Sequence, residues 1–245
     1  MIRHEDMGDR VVLITIDRHK QRNALDVEHL DALHGAVVDA VLADARAIVV
    51  TGAGSAFCAG ADLDRVYGAE FRTALYRALG AITEAPVPVI AAVNGPAVGA
   101  GTQLAIACDL RVGSEPALFA VPTALNGLAV DPWTVRRLAG LTSGAVARNL
   151  LLGATRLGAK DALACGLLAR SGDLDDAVAW AREIADMAPL ALTYSKRALD
   201  RLVEPAAPRS DADLDLLFEE CWDSADVVEA RRARTEGRKP VFEGR

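Results

Sequence analysis

Two glycine-rich stretches govern what this chain can fold into. One is Ala59-Gly60-Ala61-Asp62, reached after the β-branched run Ile48-Val-Val-Thr-Gly52; the other is Asn94-Gly95-Pro96-Ala97-Val98-Gly99-Ala100-Gly101, reached after Val89-Ile-Ala-Ala-Val93. Each reads as strand, turn and helix start. Peptide N–H groups in the first turn of a helix have no intrahelical acceptor and lie at the positive end of its dipole, so two such turns facing each other suffice to hold one developing oxyanion. For either stretch alone, plain turn geometry is the better explanation of the glycines.

The rest of the chain supplies an α/β frame for these turns. Residues 11–16, Val-Val-Leu-Ile-Thr-Ile, read as a strand, followed by a loop through Asn23-Ala24-Leu25 and an amphipathic helix from about Asp26 to Ala43. Strand signals recur at 47–51, 89–93 and 110–112, each apolar and each followed by a turn and a helical stretch, which predicts strands buried on both faces. Residues 63–85 are helical in pattern, with Phe71, Leu75, Leu79 and Ile82 on one face, until Pro86 and Pro88 stop them. A helical region over 144–202 is interrupted at Gly153, Gly158, Gly166, Gly172 and Pro189. The segment 204–210 reads as a linker, and Ser210 or Asp211 as the cap of one last helix running to about Arg234. The apolar positions of that helix, Leu214, Leu217, Phe218, Cys221, Trp222 and Val228, require cover from the body or from another subunit.

Composition narrows the function classes. With 245 residues, 51% of them hydrophobic, and a mean hydropathy of +0.18, the chain suits a soluble protein burying about 70–75% of its unfolded surface. No apolar run approaches the ~18–20 residues of a membrane span, and Met1-Ile-Arg-His-Glu-Asp lacks a secretory core, so a cytoplasmic location is expected. Net charge is −7 with a pI near 5.2, which speaks against a nucleic-acid partner. Cys58, Cys108, Cys165 and Cys221 read as buried thiols, and His4, His19, His29 and His34 lack ligand spacing, so no metal is expected. A nicotinamide site is disfavoured: after Gly52-Ala-Gly54 the third glycine position is Phe57, and Tyr67, Tyr76 and Tyr194 have no lysine four residues on.

The full set of motifs resembles the enoyl-CoA hydratase/isomerase, or crotonase, family. It is carried by Arg22-Asn-Ala-Leu25, Ala56-Phe-Cys-Ala-Gly-Ala-Asp-Leu63, Pro88 through Gly101, Cys108-Asp-Leu-Arg111 and the tail Arg238-Lys-Pro-Val-Phe-Glu-Gly244, in family order over nearly the whole chain. The resemblance implies a crotonase-like α/β spiral of ββα units over 1–187 and a C-terminal α-helical trimerisation region over 188–245, giving a homotrimer or a hexamer of paired trimers. It implies no cofactor, only a coenzyme A thioester as substrate or ligand, and enzymes of fatty-acid metabolism as partners for hand-off. Carried over by position, the oxyanion donors are the N–H groups of Ala61 and Ala100. Coenzyme A contacts fall at Arg22, Ala24, Ala59, Ala61, Asp62, Leu63, Lys239 and Phe242, with Arg65 and Arg238 as further phosphate partners. The acyl pocket is lined by Leu63, Val66, Val98, Val121, Leu128 and Trp133.

The chain departs from the family at its proton-transfer positions. Hydratases of the family use two glutamates, and at those registers this chain has Gln103 and Thr123. An amide orients water but accepts no proton at neutral pH, and a threonine hydroxyl is no better as an acid. General acid or base assistance contributes ~10²–10⁴ each, against about 2.7–4 kcal/mol for one oxyanion donor, so polarisation alone leaves hydration very slow. One carboxylate, Asp131, lies at a register where some relatives place a working aspartate; it reads either as a group of raised pKa or a nucleophile, or as the cap of a helix with Pro132 in its first turn. The expectation is an acyl-CoA-binding protein with weak or absent hydratase activity. The alternatives are an atypical hydratase, isomerase or hydrolase working through Asp131, and a structural oligomer without ligand.

Overall fold

β-Branched runs between glycine turns become the strands of this computed structural model, which describes residues 1–62, 69–203 and 212–244. The strands are β1 (Ile2–Asp6), β2 (Val11–Ile16), β3 (Ala47–Gly52), β4 (Val89–Val93), β5 (Pro96–Val98), β6 (Leu110–Gly113), β7 (Leu118–Ala120), β8 (Arg156–Gly158) and β9 (Arg170–Ser171). The helices are α1 (Val27–Leu42), α2 (Ala69–Glu84), α3 (Ala100–Ala107), α4 (Pro132–Leu141), α5 (Gly144–Leu151), α6 (Ala159–Ala164), α7 (Leu174–Ala185), α8 (Pro189–Val203), α9 (Ala212–Asp223) and α10 (Ala225–Thr235), with 3-10 turns at His19–Gln21 and Thr123–Asn126. One sheet runs β1-β2-β3-β4-β6-β9 and a smaller one β5-β7-β8. The chain divides into two compact units, 1–120 with 157–200 and 121–156 with 201–245.

In the first unit β2, β3, β4 and β6 are parallel, in register at Val11↔Ala47, Ile48↔Val89 and Ile90↔Leu110. Every residue of β3 and β4 is buried, as continuous apolar strands of a parallel sheet covered on both faces must be. Ala177, Val178, Ala181 and Ile184 of α7 close one face over Val11, Leu13, Val49, Ile90 and Val112. α1 starts where Asp26 accepts the His29 N–H at 3.0 Å, and it buries Leu30, Leu33 and Val37 beside α2, which buries Phe71, Leu75, Leu79 and Ile82. α8 is tied to this unit by Lys196, whose Nζ donates to Ile82 O at 2.9 Å, Val87 O at 3.0 Å and Asp109 Oδ2 at 2.8 Å, using all three ammonium protons.

In the second unit the Thr123–Asn126 turn ends at Gly127, whose φ is 66°. A Cβ there would lie 2.9–3.0 Å from the Asp226–Val227 backbone, so only glycine lets this turn pack on the start of α10. Trp222 of α9 donates its indole N–H to Ala129 O at 3.2 Å, pinning the following loop.

Two expectations are corrected, and one strand is added. The last helix is broken into α9 and α10 at Ser224, which is extended (φ −70°, ψ 155°) and turns its hydroxyl back onto Cys221 O at 2.8 Å, the local competition that disfavours serine inside helices. Cys58 and Cys108 are buried, but Cys165, at the end of α6, is half-buried, and Cys221 is exposed on α9 together with Leu216 and Leu217. Strand β1 escapes the periodicity reading because it pairs antiparallel with β2 at the sheet edge with most of its residues exposed, leaving no apolar alternation. The linker over 204–210 and the residues Leu63, Arg65, Val66 and Tyr67 lie outside the described residues.

Candidate active site

The two glycine turns come together within the first unit. Segment 58–62 runs beside β5, where Cys58 N donates to Pro96 O at 3.1 Å and Val98 N to Cys58 O at 2.9 Å. On its other side Ala59 N donates to Arg22 O at 2.9 Å, Leu25 N to Gly60 O at 2.7 Å and Asp62 N to Leu25 O at 2.8 Å. Cys58 therefore bonds one neighbour while Ala59, Gly60 and Asp62 bond the other, so the change of side falls between Cys58 and Ala59, just ahead of Gly60, whose φ is 98°. A Cβ at Gly60 would stand 2.5 Å from Val98 O and 3.6 Å from Ala100 N, which places this turn directly against the start of α3.

Ala61 pairs with Leu25 in an isolated parallel bridge. Because the hydrogen bonds of that bridge are made by Gly60 O and Asp62 N, the Ala61 N–H points away from residues 22–25. The sequence expectation of a helical first turn at this position is thus replaced by a bridge, which frees the same N–H by a different device.

Ala100 is the first residue of α3, behind Gly99 (φ 53°, ψ −116°), and its N–H belongs to the unbonded first turn. That turn is held by Gly99 N to Ala120 O at 2.8 Å and by the Thr102 hydroxyl, which lies 2.7 Å from Ala97 O and 2.9 Å from Ala120 O. Gly101 has Cys58 O 2.1 Å from where a Cβ would stand, so the helix start and the bridge segment touch backbone to backbone. Beneath them, burial pushes the Cys58 thiol up to about 12, which makes it a packing group rather than a nucleophile.

Gln103 lies one turn into α3 and is 5% exposed, with its backbone N–H on Gly99 O at 3.0 Å. Arg22 is exposed in the left-handed conformation (φ 51°), and Ala24 O accepts from Arg18 Nη1 at 3.0 Å. Asp62 Oδ2 lies 2.9 Å from Arg18 Nη2. Val98 ends β5 half-buried.

In the second unit Thr123 and Leu128 line one apolar cavity of about 450 Å³ with Ala124, Ala129, Val130 and Val135 among its other walls. Val121 is fully buried, and the Arg137 guanidinium sits 5.6 Å from the centre of the Trp133 ring. Asp131 is the N-cap of α4, accepting from Thr134 N at 3.0 Å on Oδ1 and from the Thr134 hydroxyl at 2.6 Å on Oδ2, with Pro132 at the first helical position.

The C-terminal tail is strapped along α10. Glu229 accepts both Arg238 nitrogens, at 2.5 and 3.0 Å, and the Val241 N–H, while Asp226 takes the N–H groups of Glu243 and Gly244. Arg238 is thereby committed within its own chain, whereas Lys239 carries no side-chain ion pair among the described residues and Phe242 stands 39% exposed.

Sequence reasoning missed Arg18, Asn23 and Asn94. Asn23, fully buried at φ 60°, donates to Ala53 O and Ala56 O, and Asn94 donates to Gly52 O and Gly54 O, so two amides brace the loop that delivers segment 58–62. Of the three, Asn94 carried a signal, an asparagine directly before Gly95, where side-chain amides serve backbone groups, but the pattern does not say which groups it serves.

Comparison with known proteins agrees with this architecture. The profile of the enoyl-CoA hydratase/isomerase family matches residues 6–245. The chain is 45% identical over 240 residues to a Mycobacterium tuberculosis protein named "Probable enoyl-CoA hydratase echA6", covering 97% of each. It is 31% identical over 249 residues to the short-chain-enoyl-CoA hydratase of Clostridium acetobutylicum, covering 94% of this chain and 93% of that one. The crystal structure of an enoyl-CoA hydratase/isomerase from Pseudoalteromonas atlantica superposes with a TM-score of 0.87 at 30% identity over 99% of each chain. Similarity of this extent, running through both glycine turns to the tail, means that the chain belongs to the enoyl-CoA hydratase/isomerase (crotonase) family.

Proposed function

We propose that this protein binds fatty acyl-CoA thioesters in fatty-acid metabolism and hydrates enoyl-CoA weakly or not at all. The observation that supports this most is the meeting of the Gly60 turn with the start of α3, two backbone donors at Ala61 and Ala100, beside a neutral amide, Gln103, where hydration needs a carboxylate. Each donor polarises the thioester oxygen, and neither moves a proton. Arg22, Ala24, Ala59, Asp62, Lys239 and Phe242 contact coenzyme A in this reading. Val98, Val121, Leu128 and Trp133 receive the acyl chain at roughly 0.8 kcal/mol per buried methylene, so binding persists without turnover. The C-terminal helical region, 188–245, joins copies into trimers or hexamers, consistent with the exposed Leu190, Leu202, Leu216 and Leu217.

The test follows the loss of conjugated enoyl absorbance with purified protein. No turnover, or turnover far below that of an ordinary hydratase, is expected; a rate within about tenfold of one rejects the reading, since two missing proton-transfer groups account for a much larger loss.

A second reading, an active enzyme of this fold using Asp131, is favoured by the hydratase names of the similar proteins. The cap bonds on both Asp131 oxygens weigh against it. Replacing Asp131 by Asn abolishes turnover if this second reading holds and leaves it unchanged if it does not.

A further inference from the structure

Arg18 leaves the end of β2 and reaches both strands of the Leu25–Ala61 bridge. Its backbone N–H donates to Asn23 Oδ1 at 3.0 Å, its Nη1 to Ala24 O at 3.0 Å, and its Nη2 lies 2.9 Å from Asp62 Oδ2. Asp26 Oδ2 stands 3.7 Å away, and the side chains of Arg18, Asp26 and Asp62 are 15%, 10% and 17% exposed. A guanidinium fork held this dry fixes geometry in a way that a solvated surface pair does not. Asp26 is itself immobile, since it accepts from His29 N at 3.0 Å and lies 2.6 Å from the His29 ring. Burial pulls the Asp26 carboxyl upward, but the His29 hydrogen bonds outweigh it and hold the group below its usual range, a charged partner for Arg18.

The consequence falls on one peptide. Ala61 N–H lies between Gly60 O, bonded to Leu25 N, and Asp62, whose backbone is bonded to Leu25 O and whose carboxylate is bonded to Arg18. The geometry points to Arg18 as a positioning residue for the Ala61 amide: by locking turn 22–26 to Asp62 it sets the direction of the N–H that meets the thioester carbonyl. This rests on the reading of Ala61 as a carbonyl donor. Arg18 touches no ligand atom in this role and acts only through the peptide at Ala61.

The experiment compares two ligands by calorimetry, dodecanoyl-CoA and dodecyl-CoA, the thioether in which a methylene replaces the carbonyl. Wild-type protein prefers the thioester. Arg18→Gln lowers affinity for the thioester by about three- to tenfold, the worth of one hydrogen bond, and leaves the thioether within about twofold of wild type. Arg18→Lys falls between, because a single ammonium cannot bridge Ala24 O and Asp62 as a fork does. Cooperative urea unfolding of Arg18→Gln shows that the variant is folded, and the partial, thioester-selective loss in Arg18→Lys carries the test where Arg18→Gln is not. Equal losses for both ligands, or none, overturn the inference. Wild-type protein that binds both ligands equally refutes the donor reading of Ala61 itself.

Discussion

Replacing Gly60 by Ala strains the site at its narrowest point. The residue sits at φ 98°, and an added Cβ stands 2.5 Å from Val98 O, where ordinary contact begins at 3.4 Å. Relief requires Val98 O to retreat by roughly 0.9 Å, the difference between those distances, which drags Gly99 and the Ala100 N–H with it. The backbone conformation costs about 1–3 kcal/mol and the overpacking about 1–3 kcal/mol more, so the variant loses about 2–6 kcal/mol of stability. Gly99→Ala is the internal control: φ is 53° there, yet nothing lies within 4 Å of the added carbon, so it carries the backbone strain without the collision. Urea denaturation followed by tryptophan fluorescence measures both, and calorimetry with an acyl-CoA measures the donor shift as at least a tenfold loss in Gly60→Ala, by the sensitivity of bound geometry to ~1 Å errors. If Gly60→Ala is no less stable than Gly99→Ala and binds thioester normally, the steric reasoning is wrong.

Further outcomes follow from other contacts. Lys196→Met leaves Asp109 buried without its ammonium and lowers stability by about 3–5 kcal/mol, or about 6–20 °C in Tm for a chain of this size; Lys196→Met with Asp109→Asn regains part of the loss in a double-mutant cycle. Burial already pushes the Asp109 carboxyl up against the pull of Lys196, so in Lys196→Met the deficit narrows as pH falls toward the ordinary carboxylate range, where folded and unfolded forms both take up the proton. The Glu229 carboxyl is held down at about 2, first by the hydrogen bond from Arg238 and then by that from Val241, so the tail strap is fully present above its unfolded value of 4.5 and is lost as pH falls through about 2. Hydrogen exchange at the Val241 amide reports that release, and Glu229→Gln produces fast exchange there already at neutral pH. Gln103→Glu with Thr123→Glu raises enoyl-CoA hydration by ~10² or more if the missing carboxylates are what limits it, whereas an unchanged rate places the limit elsewhere.

Much of the frame was legible because burial on both faces writes itself as uninterrupted apolar residues. β2 and β4 occupy the predicted residues, β3 and β6 extend theirs by one, and α1 runs from Val27 to Leu42 against the predicted span of about Asp26 to Ala43. What could not be read was held by polar contacts distant in sequence. Nothing local marks Arg18 as the partner of Asp62, Lys196 as the partner of Asp109, or Asn94 as the brace of Gly52 and Gly54. The short strands β5, β7, β8 and β9 carry too few residues to show a period. At the site, Ala61 and Ala100 were placed by the family resemblance, but the bridge that turns the Ala61 N–H away from residues 22–25 depends on those residues and lies beyond any pattern in the turn itself.

The switch of sides just ahead of Gly60, which leaves the site's donors on the main chain, has an evolutionary consequence. On the proposed reading the grip on a carbonyl belongs to main-chain amides, which any substitution at positions 61 and 100 other than proline leaves in place, while proton shuttling depends on side chains that one substitution deletes. The two abilities are therefore separable heritable traits, and a lineage with this backbone can discard turnover in a single step while keeping its cargo.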